Sequence, residues 1–188
     1  MLDGVSLDVA AGQLVHVSGP NGSGKTTLLR VCSGLLPAEQ GSVIWGGQSG
    51  APDPEAVAAE FCYLGHSDAL KADLTARENL RYAVGLRRQV TATAIDETLA
   101  QVGLSGCREL QARVLSAGQK RRLAIARVTL SAAPLWILDE PFTNLDHAAV
   151  LLVSEVIADH LDCGGATLLA THQSPVIPRH AAIRVELR

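Results

Sequence analysis

Aromatic side chains are scarce: two Trp, two Tyr and two Phe make up 3% of 188 residues. The interior must therefore be packed by aliphatic groups. At 47% hydrophobic content and this length the chain can fill the core of one domain. Charge of one sign is lacking too. Sixteen basic residues face nineteen acidic ones, a net charge of -3, which gives no electrostatic argument for a nucleic-acid surface. The four cysteines (Cys32, Cys62, Cys107, Cys163) lie far apart and form no CxxC pair, so they read as small buried hydrophobes in a reducing compartment. No apolar run reaches membrane-spanning length and no basic-then-apolar leader is found, so a soluble, intracellular protein is expected, with any membrane role coming through a partner. Repeats and low-complexity tracts are absent.

What the chain does have is Gly19 to Thr26, reading GPNGSGKT. Gly, four residues, then Gly-Lys-Thr is the spacing of a phosphate-binding loop. It follows an apolar stretch, Leu14 to Val17, and precedes a helical pattern through Leu28, Leu29, Val31 and Cys32. Gly19, Gly22 and Gly24 let the backbone curl and aim its N–H groups at a β-phosphate, which the positive end of the next helix also faces. Lys25 adds a charge for the β- and γ-phosphates; at about 4 Å and an effective dielectric of about 20, such a contact is on the order of 4 kcal/mol before desolvation. The Thr26 hydroxyl is the expected Mg²⁺ ligand. Pro20, Asn21, Ser23 and Thr27 complete the expected ATP-binding segment.

Strand and helix patterns alternate along the chain. Val5 to Val9 alternates like a half-exposed strand, and Ala11-Gly12 turns it into Leu14 to Val17. Gly46 to Pro54 is punctuation, most simply a hairpin or loop, and Phe61 to Leu64 reads as a short strand. From about residue 67 to 113 the character is helical: Thr75 is placed as a cap with Glu78 three residues on, followed by a helix over Thr91 to Val102. A helix from Ser116, a buried strand at Leu135 to Leu138, a helix over Ala148 to Leu161 and strands near Thr167 to Ala170 and Ile183 to Leu187 complete the order. Leu135-Trp136-Ile137-Leu138 is apolar on both faces, as a central parallel strand is. The expected architecture is one α/β domain: residues 1–66 and 114–188 form the nucleotide-binding core and 67–113 a helical insertion.

The central strand ends in Asp139-Glu140. Ligands of open α/β sheets bind beyond the carboxyl ends of the strands, so Asp139 is expected to hold Mg²⁺ and Glu140 to polarise the water attacking a γ-phosphate. An Asp-Glu pair can also simply end a strand. Further upstream, Leu115-Ser116-Ala117-Gly118-Gln119 opens a helix with Ser116 as its cap, and Gly118 would let a ligand approach the backbone. Alone, this segment could be only a capped helix start.

Taken together, GPNGSGKT, LSAGQ with Lys120-Arg121-Arg122 after it, ILDEP, the Asn144-Leu145-Asp146 loop and Thr171-His172 resemble the ATP-binding cassette ATPases over nearly the whole chain. The resemblance implies a P-loop NTPase fold with a mainly parallel sheet, an antiparallel β portion and the helical subdomain. It implies ATP and Mg²⁺, catalytic roles for Lys25, Glu140 and His172, and a head-to-tail dimer. In that dimer Ser116, Ala117, Gly118 and Gln119 would close over ATP held by the second copy, and Asp146 would order the interface. His172 would contact the γ-phosphate.

A finer match, through Leu64-Gly65-His66, LTARENL, LSAGQ-KRR and LWILDEPFT, is similar to the haem-exporter branch. It implies integral membrane subunits as partners, a peripheral place on the cytoplasmic face of the inner membrane, and no nucleic acid. His66 stands where most cassettes have a glutamine that senses the membrane subunit. It would either bond in the glutamine's place or contact the membrane partner. Members also carry an extra N-terminal strand and an adenine-stacking aromatic; the residues before Gly19 include no Trp, Tyr or Phe. Either the start is truncated or the stacking group is absent, and affinity is then expected to fall roughly 5- to 150-fold. Soluble cassettes acting on ribosomes or DNA are another class, but those have paired cassettes or long coiled coils. A P-loop kinase would leave LSAGQ and His172 unexplained.

Overall fold

A computed structural model of the chain describes residues 4–46, 59–85, 88–173 and 176–187. Five strands form one sheet: β1 (Leu14–Ser18), β2 (Phe61–Leu64), β3 (Leu135–Asp139), β4 (Ala166–Ala170) and β5 (Ala182–Glu186). Their order is β2-β3-β4-β1-β5, and every pairing is parallel. Among the described residues five helices accompany them, with residues 59–60 helical as well: α1 (Lys25–Cys32), α2 (Ala76–Gly85), α3 (Ala92–Gln101), α4 (Ala117–Ser131) and α5 (His147–Asp162).

The strand residues alternate between two apolar layers, as a pleat requires. Val15 and Val17 of β1, Ile137 of β3 and Leu168 and Ala170 of β4 pack with Leu28 and Leu29 of α1. On the opposite face Leu14, Trp136, Leu138 and Leu169 join the larger layer built by α2, α3, α4 and α5. Both faces are covered, which is why β3 is apolar throughout.

Helix starts follow local chemistry. Thr75 and Glu78 form a capping box: the Glu78 N–H donates to Thr75 Oγ1 at 3.2 Å, and the Thr75 N–H donates to Glu78 Oε2 at 2.8 Å. Ser116 and Gln119 build the same reciprocal box at α4, whereas Thr91 caps α3 one way, its hydroxyl accepting from the Ala94 N–H. Between β2 and α4 the chain is helical, with short 3₁₀ turns at Ser105–Cys107 and Ala112–Val114.

One feature differs from the sequence reading. Residues 5–9 show the alternating exposure of a strand, but they pair with no strand among the described residues; Val5, Leu7 and Val9 lean on the α1-side layer beside Trp45. Packing alone produces that period. Thr75 and Gln111 form an isolated antiparallel bridge, and Trp45 is a bridge residue as well. Most of the expected hairpin, Gly46 to Pro54, lies outside the described residues.

His160, near the end of α5, stacks on Trp136 of β3 with ring centroids 3.8 Å apart, and its Nε2 lies 3.2 Å from the Ala166 carbonyl. Burial holds its pKa below the ordinary histidine value, against the pull of the Ala166 and Pro134 carbonyls. The unfolded chain therefore binds a proton that the fold resists, and stability is lost as pH falls below about 6.5. The melting temperature of wild type should drop between pH 7.5 and 5.5 more steeply than that of His160→Phe. Equal slopes would remove His160 as the cause.

Candidate nucleotide-binding site

Because all five strands run the same way, their carboxyl ends share one edge of the sheet. Asp139 pairs with Ala170, and Ala170 with Val17, so the ends of β3, β4 and β1 lie level. At about 5 Å per strand, the phosphate loop after β1 and the carboxylates ending β3 are roughly 10 Å apart, a span suited to a triphosphate.

The loop is built from positive-φ glycines: Gly19 at 149°, Gly22 at 84° and Gly24 at 97°. Gly19 is also a point of close approach, since a Cβ there would lie 2.6 Å from the Leu187 carbonyl oxygen and 2.7 Å from Ser23 Oγ. Gly24 leads directly into α1, whose N-terminus has no side-chain cap. The helices after Thr91, Ser116 and Asp146 spend a side-chain oxygen on their first N–H groups, whereas those of α1 are left for an anion. Lys25 is buried, and its ammonium donates to the carbonyls of Gly19 at 2.8 Å and Pro20 at 3.0 Å. Thr26 is half-buried one residue on; Pro20, Asn21 and Thr27 are exposed.

At the end of β3 the chain turns sharply. Glu140 has φ 51°, rare outside glycine, and its N–H donates to the Ala170 carbonyl at 2.8 Å. Its buried carboxylate is held at three points. The Thr171 hydroxyl donates to Oε2 at 2.9 Å, the His172 N–H donates to Oε1 at 3.0 Å, and His172 Nδ1 lies 2.9 Å from Oε2. An ionised carboxylate only accepts, so Nδ1 carries the proton in this arrangement and Nε2 faces outward from the pair. The His172 side chain is 59% exposed. Such a clasp fixes the direction in which Glu140 presents charge to a water, the task of a general base. His16, a buried residue of β1, holds the same segment from behind, with Nε2 3.2 Å from the Thr171 carbonyl.

Asp139 is buried, and its Oδ2 has no hydrogen-bond partner among the described residues. A buried carboxylate oxygen left unpaired is costly. It fits a hard cation held partly through water, as Mg²⁺ is. Burial first, and then the Asp139 charge, push the Tyr63 phenol above its ordinary pKa. His66 is 63% exposed on its side chain, with Nε2 3.9 Å from Asp139 Oδ1, too far for a hydrogen bond.

The segment expected to act on a second copy lies away from these groups at the tip of α4. Ser116 and Ala117 are exposed; Gly118 and Gln119 are half-buried. Ser116 Oγ accepts from the Gln119 N–H at 3.2 Å and Gln119 Oε1 accepts from the Ser116 N–H at 2.8 Å, while Gln119 Nε2 donates to Cys107 Sγ at 3.4 Å. Gln119 is thus spent on its own helix cap. Gly118 has a further use: a Cβ there would lie 2.8 Å from the Asn144 carbonyl oxygen of the same chain. Asp146 caps α5, accepting from the Ala149 N–H at 2.8 Å. Sequence reasoning passed over His16 and Arg121. An arginine sharing a helix face with Ile125 and Val128 was the available signal for the second.

A family profile described as ABC transporter matches residues 2–143. The chain belongs to the ABC transporter family. The cytochrome c biogenesis ATP-binding export protein CcmA of Methylococcus capsulatus is 45% identical to it over 93% of this chain and 84% of that protein. The proteins of the same name from Dechloromonas aromatica and Vibrio cholerae are 45% and 42% identical, covering 93% and 92% of this chain. A solved ATP-binding subunit of an ABC transporter superposes with a TM-score of 0.86 at 28% identity, covering 97% of this chain and 78% of that one. A putative ABC transporter ATP-binding protein from Pyrococcus furiosus, at 23% identity and TM-score 0.84, shares the fold. As an ABC-family ATPase the chain couples ATP hydrolysis to transport. No helix among the described residues is long and apolar enough to cross a membrane.

Lys25→Ala should abolish ATP binding, read by equilibrium titration with a fluorescent nucleotide; unchanged affinity would show that the loop is not the phosphate site. Glu140→Gln should keep ATP affinity within a few-fold yet lower turnover by roughly 10²- to 10⁴-fold, and a fully active variant would remove Glu140 from the chemistry.

Proposed function

We propose that this chain is the motor of a haem exporter serving cytochrome c biogenesis, working at the cytoplasmic face of the inner membrane beneath separate membrane subunits. The names of its relatives support the process. The held carboxylate of Glu140, level with the phosphate loop, is the observation that supports hydrolysis here.

ATP lies across the strand ends with its phosphates in the amide cradle of residues 19–27. Lys25 turns from the Gly19 and Pro20 carbonyls to the β- and γ-phosphates. Thr26 and Asp139 would hold Mg²⁺, which would supply positive charge against the phosphates. Glu140, aimed by Thr171 and His172, orients the attacking water and takes its proton, and His172 Nε2 reaches toward the γ-phosphate.

The site is completed by a second copy. The α4 tip of the partner offers its exposed Ser116 and the open end of its helix dipole to the γ-phosphate, where charge builds in the transition state. To reach ATP, Gln119 must leave its cap. Asp146 lies at the seam between copies, and His66, exposed beside Asp139, is the link to the membrane subunit. Nucleic acid plays no part in this reading.

Because each site needs two chains, hydrolysis per chain should rise with protein concentration through the monomer-to-dimer range. A flat rate, or activity from an obligate monomer, would refute the composite site. Affinity capture from detergent-solubilised membranes should bring down a multi-span membrane protein that carries bound haem; capture of ribosomes instead would overturn the transport reading.

A further inference from the structure

One buried charge on α4 takes part in none of these steps. Arg121 is 2% exposed, one turn and a half beyond Ser116, among the core residues of its helix. A guanidinium has five N–H donors in a rigid fork, and here five acceptors surround it. Nη1 donates to the Gly65 carbonyl and to Asp68 Oδ1, each at 2.9 Å. Nη2 donates to the carbonyls of Asp139 at 2.7 Å and Glu140 at 2.9 Å, and Nε donates to that of Pro141 at 3.3 Å.

The placement of these acceptors is informative. The β2–β3 ladder runs to Leu64 opposite Leu138 and stops there. Arg121 joins the two chains just past that point, where the ladder no longer holds them. On one side it grips Gly65, the residue before His66. On the other it grips Glu140 itself, whose backbone is in the sparsely populated left-handed region. A core arginine whose single carboxylate partner among the described residues is 26% exposed would be a poor choice for stability alone, since apolar packing serves a core as well.

We propose that Arg121 is a positioning residue, fixing the Glu140 turn against the His66 loop and so setting the direction of the Glu140 carboxylate. The proposal rests on Glu140 acting in hydrolysis. Its substitution should therefore lower turnover and leave nucleotide capture by the phosphate loop intact. Lysine cannot substitute, because three donors on a point charge cannot span both loops.

The test uses Arg121→Lys, with two readouts on the full chain. Hydrogen–deuterium exchange of the nucleotide-free protein should speed up roughly tenfold in residues 65–69 and 139–143 while β1 and β4 stay protected. ATP turnover should show kcat down by roughly tenfold or more with KM within about threefold. Unchanged exchange in both loops, an equal rise across the whole sheet, or a kcat within about twofold of wild type would each overturn the proposal. If Arg121→Lys does not fold, Asp68→Asn, which removes only the partly exposed carboxylate, is judged by the same exchange criterion. Wild-type protein that fails to hydrolyse ATP would defeat the motor reading instead, and the exchange result would still decide whether Arg121 holds the two loops.

Discussion

Everything in the site depends on strands that run in one direction and end level. The pairing of Asp139 with Ala170 and of Ala170 with Val17 fixes the depth at which each chain leaves the sheet. Backbone hydrogen bonds set that register, and the alternation of Val15, Val17, Ile137 and Leu168 against Leu138 and Leu169 prevents it from slipping, because a shift of one residue would turn each apolar side chain to the wrong layer. A carboxylate at the end of β3, a histidine after β4 and a glycine loop after β1 are thereby brought to one edge of the sheet by its register. Glu140 then receives its orientation from the neighbouring strand end, through Thr171 and His172.

The parts of this arrangement that could be read from sequence are those whose chemistry is local. The loop at residues 19–26 announces itself because glycine, lysine and threonine must recur at fixed offsets along one short stretch. The same holds for the caps at Thr75, Thr91 and Ser116, each satisfied within three residues. Alternation at residues 5–9 was legible as a period, but a period records which side chains are buried and is silent on what the backbone bonds to. Arg121 was beyond reach for a related reason. Its five acceptors lie on segments some 20 and 55 residues away, and nothing in the order Lys120-Arg121-Arg122 separates the buried member from its half-buried neighbours.

Glycine roles illustrate how local reasoning can find the residue and still misplace the cause. Gly118 was expected to clear space for a ligand. In the fold it already clears space for the Asn144 carbonyl, tying the α4 tip to the loop that leads into α5. Asn144 stands two residues before Asp146, so the α4 tip and the loop leading to Asp146, both expected at a dimer seam, lie close together within one chain. Gln119, bonded to Ser116 and Cys107, keeps the tip in a self-satisfied form until something outbids its internal bonds.

Lys25 is likewise self-satisfied, its ammonium resting on two carbonyls of the loop it belongs to. The third ammonium N–H remains for an anion, and a hydrogen bond between charged partners exceeds one to a neutral carbonyl by only about 1–2 kcal/mol. Orthophosphate or chloride therefore gains little from the lysine alone. A chain of linked phosphates, engaging the open end of α1 and the curled amides simultaneously, gains at every oxygen. The loop geometry thus favours a polyanion over a single small ion through the number of donors each can engage at once.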